Sequence, residues 1–492
     1  MTDESLKEEI LIMVTPSEVR SAVLENGVLQ EVYVERAARR GLISNIYKGR
    51  AMRVLPGMQA AFIDIGLERT AFLHASDIAR HRGTENGDEI PSIRELVREG
   101  DEILVQVVKD PLGNKGARLT TYITLPSRHL VLLPHGDSVG ISTRIEDDDE
   151  RERLRSLVTE LLAENELDCG AIVRTMAEGT EREALAADLR YLTKLWGVVQ
   201  ERCSISSVKS LVHEDLSLPL RVLRDMVTSD VERVLVDSRG DFEAMQEFAE
   251  TYLQNVAPDI ALYERRRPIF DLHGIEDEIR KSLDRSIPLK SGGYLIFDQT
   301  EAMTTIDVNT GGYVGHRNLE ETIYRTNLEA AVAIARQLRL RNLGGIIIID
   351  FIDMELPEHR DNVLQVLEQA LSRDHARHQI TPVSPLGLVE MTRKRTRESL
   401  QHVLCEDCPT CEGRGFVMTA ETVCFEIFRE IIRQSRQFEF DEVMVLAGQD
   451  VIEMLLDEQA RSLAELEEQT GKSIRLQTEA LYQQDQFDVV LM

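Results

Sequence analysis

The chain has 492 residues, 42% of them hydrophobic, and a formal net charge of −29. At roughly 100–200 residues per domain, this length predicts about three to five domains with enough apolar residues to build their cores. The sequence has no run of about 18 apolar residues and no basic start followed by an apolar core, which argues against a membrane span and a secretory signal. Six cysteines in so long a chain are typical of a reducing cytoplasm rather than of a disulfide framework.

The negative charge alone argues against nucleic acid, because Lys and Arg drive phosphate binding. The basic residues are bunched, however, as in Arg393-Lys394-Arg395 followed by Arg397. An acidic body with local basic grooves remains compatible with RNA binding, and most of the acidic residues are explained as solvated surface.

The first 125 residues predict a hairpin and a small barrel. Residues 11–14 and 28–34 have strand composition, and Asn26-Gly27 between them is a favoured tight-turn pair. Such a hairpin is too small to fold alone, so we expect it to join a sheet built elsewhere in the chain. Short strands punctuated by Gly and Pro over residues 41–125 predict the barrel.

Two aromatic residues and a lysine in the barrel segment suggest an RNA surface. Phe62 and Phe72 lie in successive strands, and Lys115 lies in a nearby loop. Aromatic side chains beside a cation form a platform on which bases stack. Burial of both Phe residues in the core is the alternative, since Phe is usually buried.

Residues 126–283 mix strands and helices, with an Arg-Thr pair after one strand. Arg174 and Thr175 follow a strand-like segment, and a guanidinium beside a hydroxyl suits a terminal phosphate. A surface salt bridge is the alternative. Residues 216–283 are predicted to be mainly helical, with one strand at 231–237.

Residues 284–404 carry the strongest chemical pattern. Asp307 ends one predicted strand, and Asp350 ends a run of four isoleucines that predicts a strand buried on both faces. Asn309 shares the face of Asp307, because it lies two residues further along the strand. Two strands of one sheet could bring both carboxylates together, and close carboxylates favour Mg²⁺ or Mn²⁺, which can polarise a phosphate and activate water. A turn or helix-cap role for each Asp is the alternative.

A short cysteine cluster follows at residues 405–420. Cys408 and Cys411 form a CxxC knuckle, and structural zinc takes four ligands. Either Cys405 and Cys424 complete a site within one chain, or two chains each donate Cys408 and Cys411 and are thereby tied as a homodimer. A reduced thiol pair without metal is the alternative. Residues 421–492 predict a small α/β unit.

Three ordered segments resemble the signature of the ribonuclease E/G family. They are DVNTG at 307–311, RLRNLGGIIIIDFIDM at 339–354 and CPTCEGRG at 408–415. The resemblance extends over essentially the whole chain. The chain ends after the small C-terminal unit without a long scaffold-forming tail, which implies the shorter branch of the family.

The resemblance implies a cytoplasmic, magnesium-dependent endoribonuclease that hydrolyses single-stranded RNA and leaves a 5′-phosphate and a 3′-hydroxyl. Mn²⁺ can substitute for Mg²⁺. The implied substrates are ribosomal RNA precursors, especially the 5′ end of the small-subunit RNA, and messenger RNA undergoing decay. The implied assembly is a homodimer, which can pair into a tetramer. A non-catalytic RNA-binding scaffold built on the barrel is the competing hypothesis.

The resemblance also implies a role for each candidate residue. Ser127 departs from the family by standing where some members have glycine beside the 5′ sensor, and Cys405 is extra to the two-cysteine link. The resemblance implies that Asp307 and Asp350 hold Mg²⁺ and that Asn309 acts at the scissile phosphate. It implies that RNA is bound by Phe62, Phe72 and Lys115, with Arg377 as a further contact, and that a 5′-monophosphate is sensed by Arg174, Thr175 and the main chain near Val131. It also implies a Zn²⁺ shared between protomers and bound by Cys408 and Cys411, with Cys405 as a candidate third ligand.

The fold class implied is a multidomain α/β chain with an RNase-H-like fold in two parts. The expected domains are the first RNase-H-like part (1–40), an inserted OB-type barrel (41–125), a 5′-sensor domain (126–215), the second RNase-H-like part (216–283), a deoxyribonuclease-like catalytic domain (284–404), the zinc link (405–420) and a small C-terminal dimerisation domain (421–492).

Overall fold

A computed structural model of the chain describes residues 7–79, 91–111, 116–228, 230–252, 258–311, 319–395 and 397–492. These residues form a mixed α/β protein that divides into two compact units, Met1–Val403 and Leu404–Met492. No helix in the part of the chain that the structure describes is long and apolar enough to cross a membrane.

The chain begins with three antiparallel strands rather than a two-stranded hairpin. They are β1 (Glu8–Val14), β2 (Glu18–Glu25) and β3 (Val28–Arg36). Asn26 and Gly27 both have positive φ, as a tight turn requires, but the turn joins β2 to β3. The predicted hairpin was wrong because a first turn was missed, in which the amide of Thr15 donates to the carbonyl of Glu18 at 2.8 Å.

A closed five-stranded barrel follows, which confirms the prediction of a small barrel. Its strands pair in the order β4-β5-β6-β8-β7, and pairing of β7 with β4 closes the ring. Alternate residues such as Ala61, Ile63 and Leu73 fill the interior. The elements are β4 (Ile46–Leu55), β5 (Ala60–Asp64), β6 (Ala71–His74), α1 (Ile93–Leu96), β7 (Glu102–Lys109) and β8 (Arg118–Thr120).

A four-stranded sheet and two long helices form the next region. The strands pair in the order β11-β12-β10-β9, and apolar side chains of both helices pack against the sheet. A further strand, β13, pairs with β4 of the barrel. The elements are β9 (Leu125–Pro126), β10 (Leu130–Leu133), β11 (Val139–Ile141), α2 (Asp148–Glu164), β12 (Gly170–Val173), α3 (Arg182–Ile205) and β13 (Ser210–His213).

The chain then returns to its first sheet. The elements are α4 (Leu218–Met226), β14 (Val231–Val236), α5 (Arg239–Tyr252), β15 (Asp259–Leu262), α6 (Ile269–Leu272) and α7 (Ile275–Leu283). β14 runs parallel to β1, and the sheet has the order β15-β14-β1-β2-β3. The N-terminal strands thus join a sheet completed about 200 residues later, as expected for a ribbon too small to fold alone. β15 is a strand that the sequence analysis missed.

The last region of the first unit is a six-stranded mixed sheet of order β16-β17-β18-β19-β21-β20. Its elements are β16 (Ser286–Pro288), β17 (Tyr294–Gln299), β18 (Met303–Asn309), α8 (Leu319–Leu340), β19 (Gly345–Asp350), α9 (Pro357–Leu371), β20 (His378–Ile380), β21 (Leu388–Arg393) and α10 (Leu400–Leu404). The prediction that residues 346–349 are buried on both faces was wrong. Ile347 and Ile349 are fully buried with side chains of α8 and α9, whereas Ile346 is 47% exposed on the opposite face.

The second unit has a three-stranded sheet of order β23-β22-β24 and a separate core. Its elements are α11 (Ala420–Gln437), β22 (Glu442–Ala447), α12 (Gln449–Leu456), α13 (Ala460–Thr470), β23 (Ser473–Thr478) and β24 (Phe487–Leu491). α12 and α13 are separate helices, because the backbone turns at Asp457. The unit is a small α/β fold, as the sequence predicts.

Candidate active site and RNA-binding surfaces

Asp307 and Asp350 lie side by side at the ends of two neighbouring strands. β18 and β19 run parallel, and Asp307 is the direct register partner of Asp350. Neighbouring strands are about 4.8 Å apart, so the two carboxylates share one edge of the sheet. Both residues are exposed, while their neighbours Ile306 and Ile349 are buried. The alternation along each strand therefore turns both carboxylates toward solvent.

The two carboxylates disfavour each other's charge. Partial burial raises the pKa of Asp350 above its ordinary value, and the charges of Asp307 and Asp353 raise it further. The side-chain amide of Asn309 donates to Oδ2 of Asp307 at 2.7 Å. A cation beside the pair would relieve this repulsion.

The donor chemistry of this edge fits Mg²⁺. Among the described residues, no three or more His, Cys, Asp and Glu side chains are grouped to hold a metal ion. The edge instead offers two carboxylates and the neighbouring amide of Asn309. Mg²⁺ is commonly held by one or two carboxylates, keeps several waters and contacts substrate phosphates, so a complete protein cage is not required.

Asn327 holds the loop that follows Asp350, and the sequence analysis missed it. This α8 residue is fully buried, and its side-chain amide bonds both backbone groups of Ile352: it donates to the carbonyl at 2.7 Å and accepts from the amide at 3.1 Å. The backbone just beyond Asp350 is thus fixed from the helix. The sequence does contain a signal for this role, because Asn327 is a single Asn on the apolar stripe of the predicted helix. A buried amide needs hydrogen-bond partners.

Two glycines let the chain after β18 lie against the chain before β17. A Cβ at Gly293 would lie 2.5 Å from the carbonyl oxygen of Asn309. Gly311 has φ +62°, and a Cβ there would lie 2.4 Å from the carbonyl oxygen of Gly292. Both distances are too short for any other residue, so the glycines determine the path of the backbone at Asn309.

Phe62 and Phe72 form a pair on the outside of the barrel. They are direct cross-strand partners, with ring centroids 6.1 Å apart and planes at 72°. Both are half-buried, whereas the flanking residues fill the core. The core alternative is therefore wrong for both rings. Lys115, the predicted cation of this platform, lies outside the described residues.

Further polar side chains border this aromatic pair. The imidazole of His74 lies 6.4 Å from the ring of Phe72, measured between centroids. Arg53 is the register partner of Phe62, and Arg118 is the partner of Phe72. The barrel therefore places two arginines beside the rings, which the sequence could not show without the strand register.

Arg174, Thr175 and Val131 lie close together in the four-stranded sheet. Arg174 directly follows β12, and its amide donates to the carbonyl of His129 at 2.8 Å, next to β10, which contains Val131. Its guanidinium donates to the carbonyl of Ser127 at 2.6 Å and to Oδ1 of Asp225 at 2.7 Å. The salt bridge considered as the alternative role of Arg174 is therefore present, as its contact with Asp225.

The carboxylate that pairs with Arg174 is held in its charged form. Burial raises the pKa of Asp225, but hydrogen bonds and charge from Arg224 and Arg174 outweigh it and keep this pKa below its ordinary value. The hydroxyl of Thr175 bonds that of Ser142 at 2.9 Å. This region is thus an internally paired charge network.

Ser127, the departure from the family pattern, is integrated into this region. It is buried, and its hydroxyl donates to Oδ2 of Asp188 at 2.6 Å. The amide of His129 donates to the same oxygen at 2.7 Å. The side chain of Ser127 therefore anchors the backbone whose carbonyl accepts from Arg174.

Arg377 is exposed just before β20, and much of the basic cluster near it is structural. Arg393 is buried and forms two hydrogen bonds with Asp374, at 2.5 and 2.9 Å. Arg397 donates to the carbonyl of Val32, and its guanidinium lies 3.6 Å from the ring centroid of Tyr33. The interpretation of residues 393–397 as a basic groove is therefore wrong for these two arginines.

In the second unit, Cys408 and Cys411 lie in a tight turn, in which the amide of Glu412 donates to the carbonyl of Cys408 at 2.7 Å. Hydrogen bonds from the backbone amides of Cys411 and Thr410 lower the pKa of the Cys408 thiol. The amide of Gly415 donates to Sγ of Cys411 at 3.4 Å. Backbone amides aimed at sulfur favour the thiolate form, which is the form that binds zinc.

Cys424 is unsuited to complete that site. It is fully buried in the core of the second unit, and burial raises the pKa of its thiol to about 11. Cys405 is exposed, but within the described ranges no cluster of three potential ligands forms around it. A zinc site completed by Cys405 and Cys424 within one chain is thus not present in this structure.

Comparison with known proteins places the chain in a family. The model of the ribonuclease E/G family matches residues 124–396, and the model of the RNase E/G thioredoxin-like domain matches residues 407–491. The chain belongs to the ribonuclease E/G family and is an endoribonuclease.

Full-length similarity is to proteins named ribonuclease G. The chain is 55% identical to ribonuclease G of Escherichia coli (strain K12) over 489 residues, which cover 98% of this chain and 99% of that protein. Ribonuclease G of Haemophilus influenzae is 54% identical over 492 residues, with the same coverage. Ribonuclease E of Escherichia coli is 36% identical over 466 residues, but the match covers only 44% of its length.

Proposed function

We propose that this endoribonuclease cleaves single-stranded RNA in a Mg²⁺-dependent reaction at Asp307, Asn309 and Asp350. The observation that carries the proposal is the direct pairing of Asp307 with Asp350 on parallel strands, with both carboxylates exposed. Mn²⁺ would substitute for Mg²⁺, because both prefer oxygen ligands.

Asp307 and Asp350 would hold the ion, and Asn309 would position the substrate phosphate. When bound, Mg²⁺ would neutralise charge on the phosphate and lower the pKa of water. Water attacks phosphorus, the bond from phosphorus to O3′ breaks, and the released O3′ takes a proton. The products are a 5′-phosphate and a 3′-hydroxyl.

The barrel supports the preference for a single strand. Bases can stack on the Phe62 and Phe72 rings only when they are unpaired, and Arg53 is the register partner of Phe62, where it could contact the RNA backbone. The guanidinium of Arg118 is held by two hydrogen bonds to Asp77, so it would contact RNA only through its remaining N–H groups. Lys115 and Arg377 are proposed as further RNA contacts.

The Arg174 region is proposed to sense a 5′-monophosphate. Ser127 and Asp225 engage two N–H groups of the guanidinium, and a phosphate can take others beside the Thr175 hydroxyl and the main chain near Val131. We further propose, as the sequence resemblance to the family implies, that the protein processes the small-subunit ribosomal RNA 5′ end and takes part in messenger RNA decay in the cytoplasm. The first part of the chain is proposed to combine an RNase-H-like fold (1–40 and 216–283), the OB-type barrel (41–125) and the sensor (126–215) with a deoxyribonuclease-like catalytic domain (284–404).

The central test uses a labelled single-stranded oligoribonucleotide with Mg²⁺ or with EDTA. We expect cleavage only with Mg²⁺, and at least a hundredfold loss for Asp307→Asn or Asp350→Asn with RNA binding retained. Asp298→Asn is the matched control, because Asp298 lies on the same sheet in an exposed ion pair with Arg285, which contributes little. Metal-independent binding without any cleavage would instead support the RNA-binding scaffold.

We also propose that two chains share one Zn²⁺ through Cys408 and Cys411, forming a homodimer that can pair into a tetramer. Cys408→Ala should release zinc and shift sedimentation from dimer to monomer. Cys405→Ala should leave both zinc content and sedimentation unchanged if two cysteines per chain suffice. A zinc-free Cys408→Ala protein that remains dimeric would place the interface elsewhere.

A further inference from the structure

A cleft opens directly beside the sheet edge that carries Asp307 and Asp350, the proposed catalytic edge. It has a volume of about 540 Å³ and lies between the end of β19, the start of α9 and the turn before β21. This volume is within the range of about 300–1,000 Å³ that is typical of small-molecule sites. Its lining includes Asp353, Met354, Arg360, Val383, Ser384 and Leu386.

The cleft is continuous with the residues that hold Asp350. Its wall begins at Phe351, the next residue along the chain, and includes Ile352, whose backbone is bonded by Asn327. Asp353, three residues beyond Asp350, also lines the wall. A group seated in the cleft would therefore adjoin a phosphate held at the catalytic pair.

The walls are preformed. Arg360 donates to the carbonyls of Met354 at 2.9 Å and of Glu355 at 3.4 Å, which fixes the plane of its guanidinium. On the opposite wall, the amide of Ser384 donates to the carbonyl of Leu388, and the amide of Gly387 donates to the carbonyl of Ser384. These two hydrogen bonds close the turn. Leu386 at the tip of this turn is 84% exposed.

We propose that this cleft binds one unpaired nucleobase of the RNA, in a nucleotide next to the scissile phosphodiester. The inference rests on the proposed catalytic role of Asp307 and Asp350. The guanidinium plane of Arg360 offers a stacking surface, Met354, Val383 and Leu386 supply apolar contact, and Asp353 and Ser384 offer polar groups to the base edge. Unpaired bases are recognised by this combination of stacking and edge hydrogen bonds, whereas a base pair would not enter so small a cleft.

The test removes bases one at a time from the substrate. A single-stranded oligonucleotide with one cleavage site is prepared with an abasic ribonucleotide at each position around that site. Wild-type protein should lose roughly five- to a hundredfold in kcat/KM at one position, since a stacked base contributes about 1–3 kcal/mol. Val383→Trp fills the cleft and should lose a similar factor in kcat/KM on intact RNA. On the RNA that is abasic at the sensitive position, its kcat/KM should equal that of the wild type, so that the two losses do not multiply.

Leu386→Ala provides a second variant that does not disturb packing. It should show a smaller loss in kcat/KM on intact RNA. On RNA that is abasic at the same nucleotide, its kcat/KM should again equal that of the wild type. Leu481→Ala is the matched control, because Leu481 is 87% exposed in the second unit, and its kcat/KM should equal that of the wild type. If no abasic position changes the wild-type rate more than twofold, or if the losses multiply, the cleft is not a base site. If wild-type protein cuts no RNA with Mg²⁺, the proposed function itself fails.

Discussion

The catalytic edge and the Arg174 region arrange charge in opposite ways. At the edge, Asp307, Asp350 and Asp353 are like charges, and burial and charge raise the pKa of Asp350. Around Arg174, opposite charges alternate, and the pKa of Asp225 is lowered despite burial. The edge thus carries like charges that a cation would balance, whereas the charges around Arg174 balance one another within the protein. In the proposed function, the ion and the RNA phosphate would satisfy the first region, and the second would inspect an RNA end.

After substitution of Asp307 or Asp350 themselves, the largest effect should come from Asn327, which positions the edge. Asn327→Ala removes both hydrogen bonds to the backbone of Ile352, so we expect kcat to fall at least tenfold with a smaller change in KM and a higher Mg²⁺ requirement. Stability should fall by about 1–3 kcal/mol, because the Ile352 backbone groups lose their partner. Steady-state kinetics across a Mg²⁺ titration measure the first effect, and urea denaturation measures the second.

Gln337→Ala provides the matched control for this prediction. Gln337 is a second buried amide on α8, and its Oε1 accepts from Nε of Arg341 at 2.8 Å. It should destabilise the protein without changing the Mg²⁺ requirement. Equal Mg²⁺ profiles for both variants would mean that Asn327 has only a structural role.

A smaller effect is expected in the Arg174 region. Arg174→Ala should reduce the rate advantage of 5′-monophosphorylated over 5′-triphosphorylated RNA, while cleavage of 5′-hydroxyl RNA stays near the wild-type rate. Arg182→Ala is the control, because Arg182 forms surface ion pairs with Glu160 and Glu164. Parallel assays with the three RNA ends measure the effect, and a wild type indifferent to the 5′ end would contradict the sensor.

Some features of the described sites could be predicted from the sequence, and others could not. The pairing of Asp307 with Asp350 was foreseeable, because each ends an apolar strand and a helix connects the strands, which favours parallel neighbours. The one-sided burial of β19 was not, since it depends on α8 and α9 covering a single face. The clamp by Asn327 and the burial of Arg393 against Asp374 were also hidden, because a polar residue in a sequence does not disclose its distant partner. Phe62 and Phe72 were assigned to the correct strands, but only the barrel register turned them outward.

The smallest predicted effect is a difference in the pH dependence of stability between the two regions. The folded-state pKa of Asp225 is lowered, so its contribution is present above the unfolded value of about 3.9 and is lost as the pH falls. The folded-state pKa of Asp350 is raised, so its destabilising contribution grows as the pH rises above the unfolded value of about 3.9 and is complete above the folded-state pKa. Near neutral pH without metal, Asp225→Asn should therefore lower the urea midpoint and Asp350→Asn should raise it slightly.

The difference for Asp350→Asn should shrink as the pH falls toward about 4, because its raised folded-state pKa leads to protonation there. The difference for Asp225→Asn should persist to about pH 4 and shrink only below it, because its folded-state pKa is lowered. Urea titrations in EDTA between pH 8 and about 3 measure both losses. Added Mg²⁺ should stabilise the wild type at neutral pH and reverse the sign for Asp350→Asn, because a bound ion stabilises only the folded state that holds it. If both Asn variants shifted the midpoint in the same direction in EDTA, the two regions would not differ in charge design, and the need for a cation at the catalytic edge would lose its physical basis.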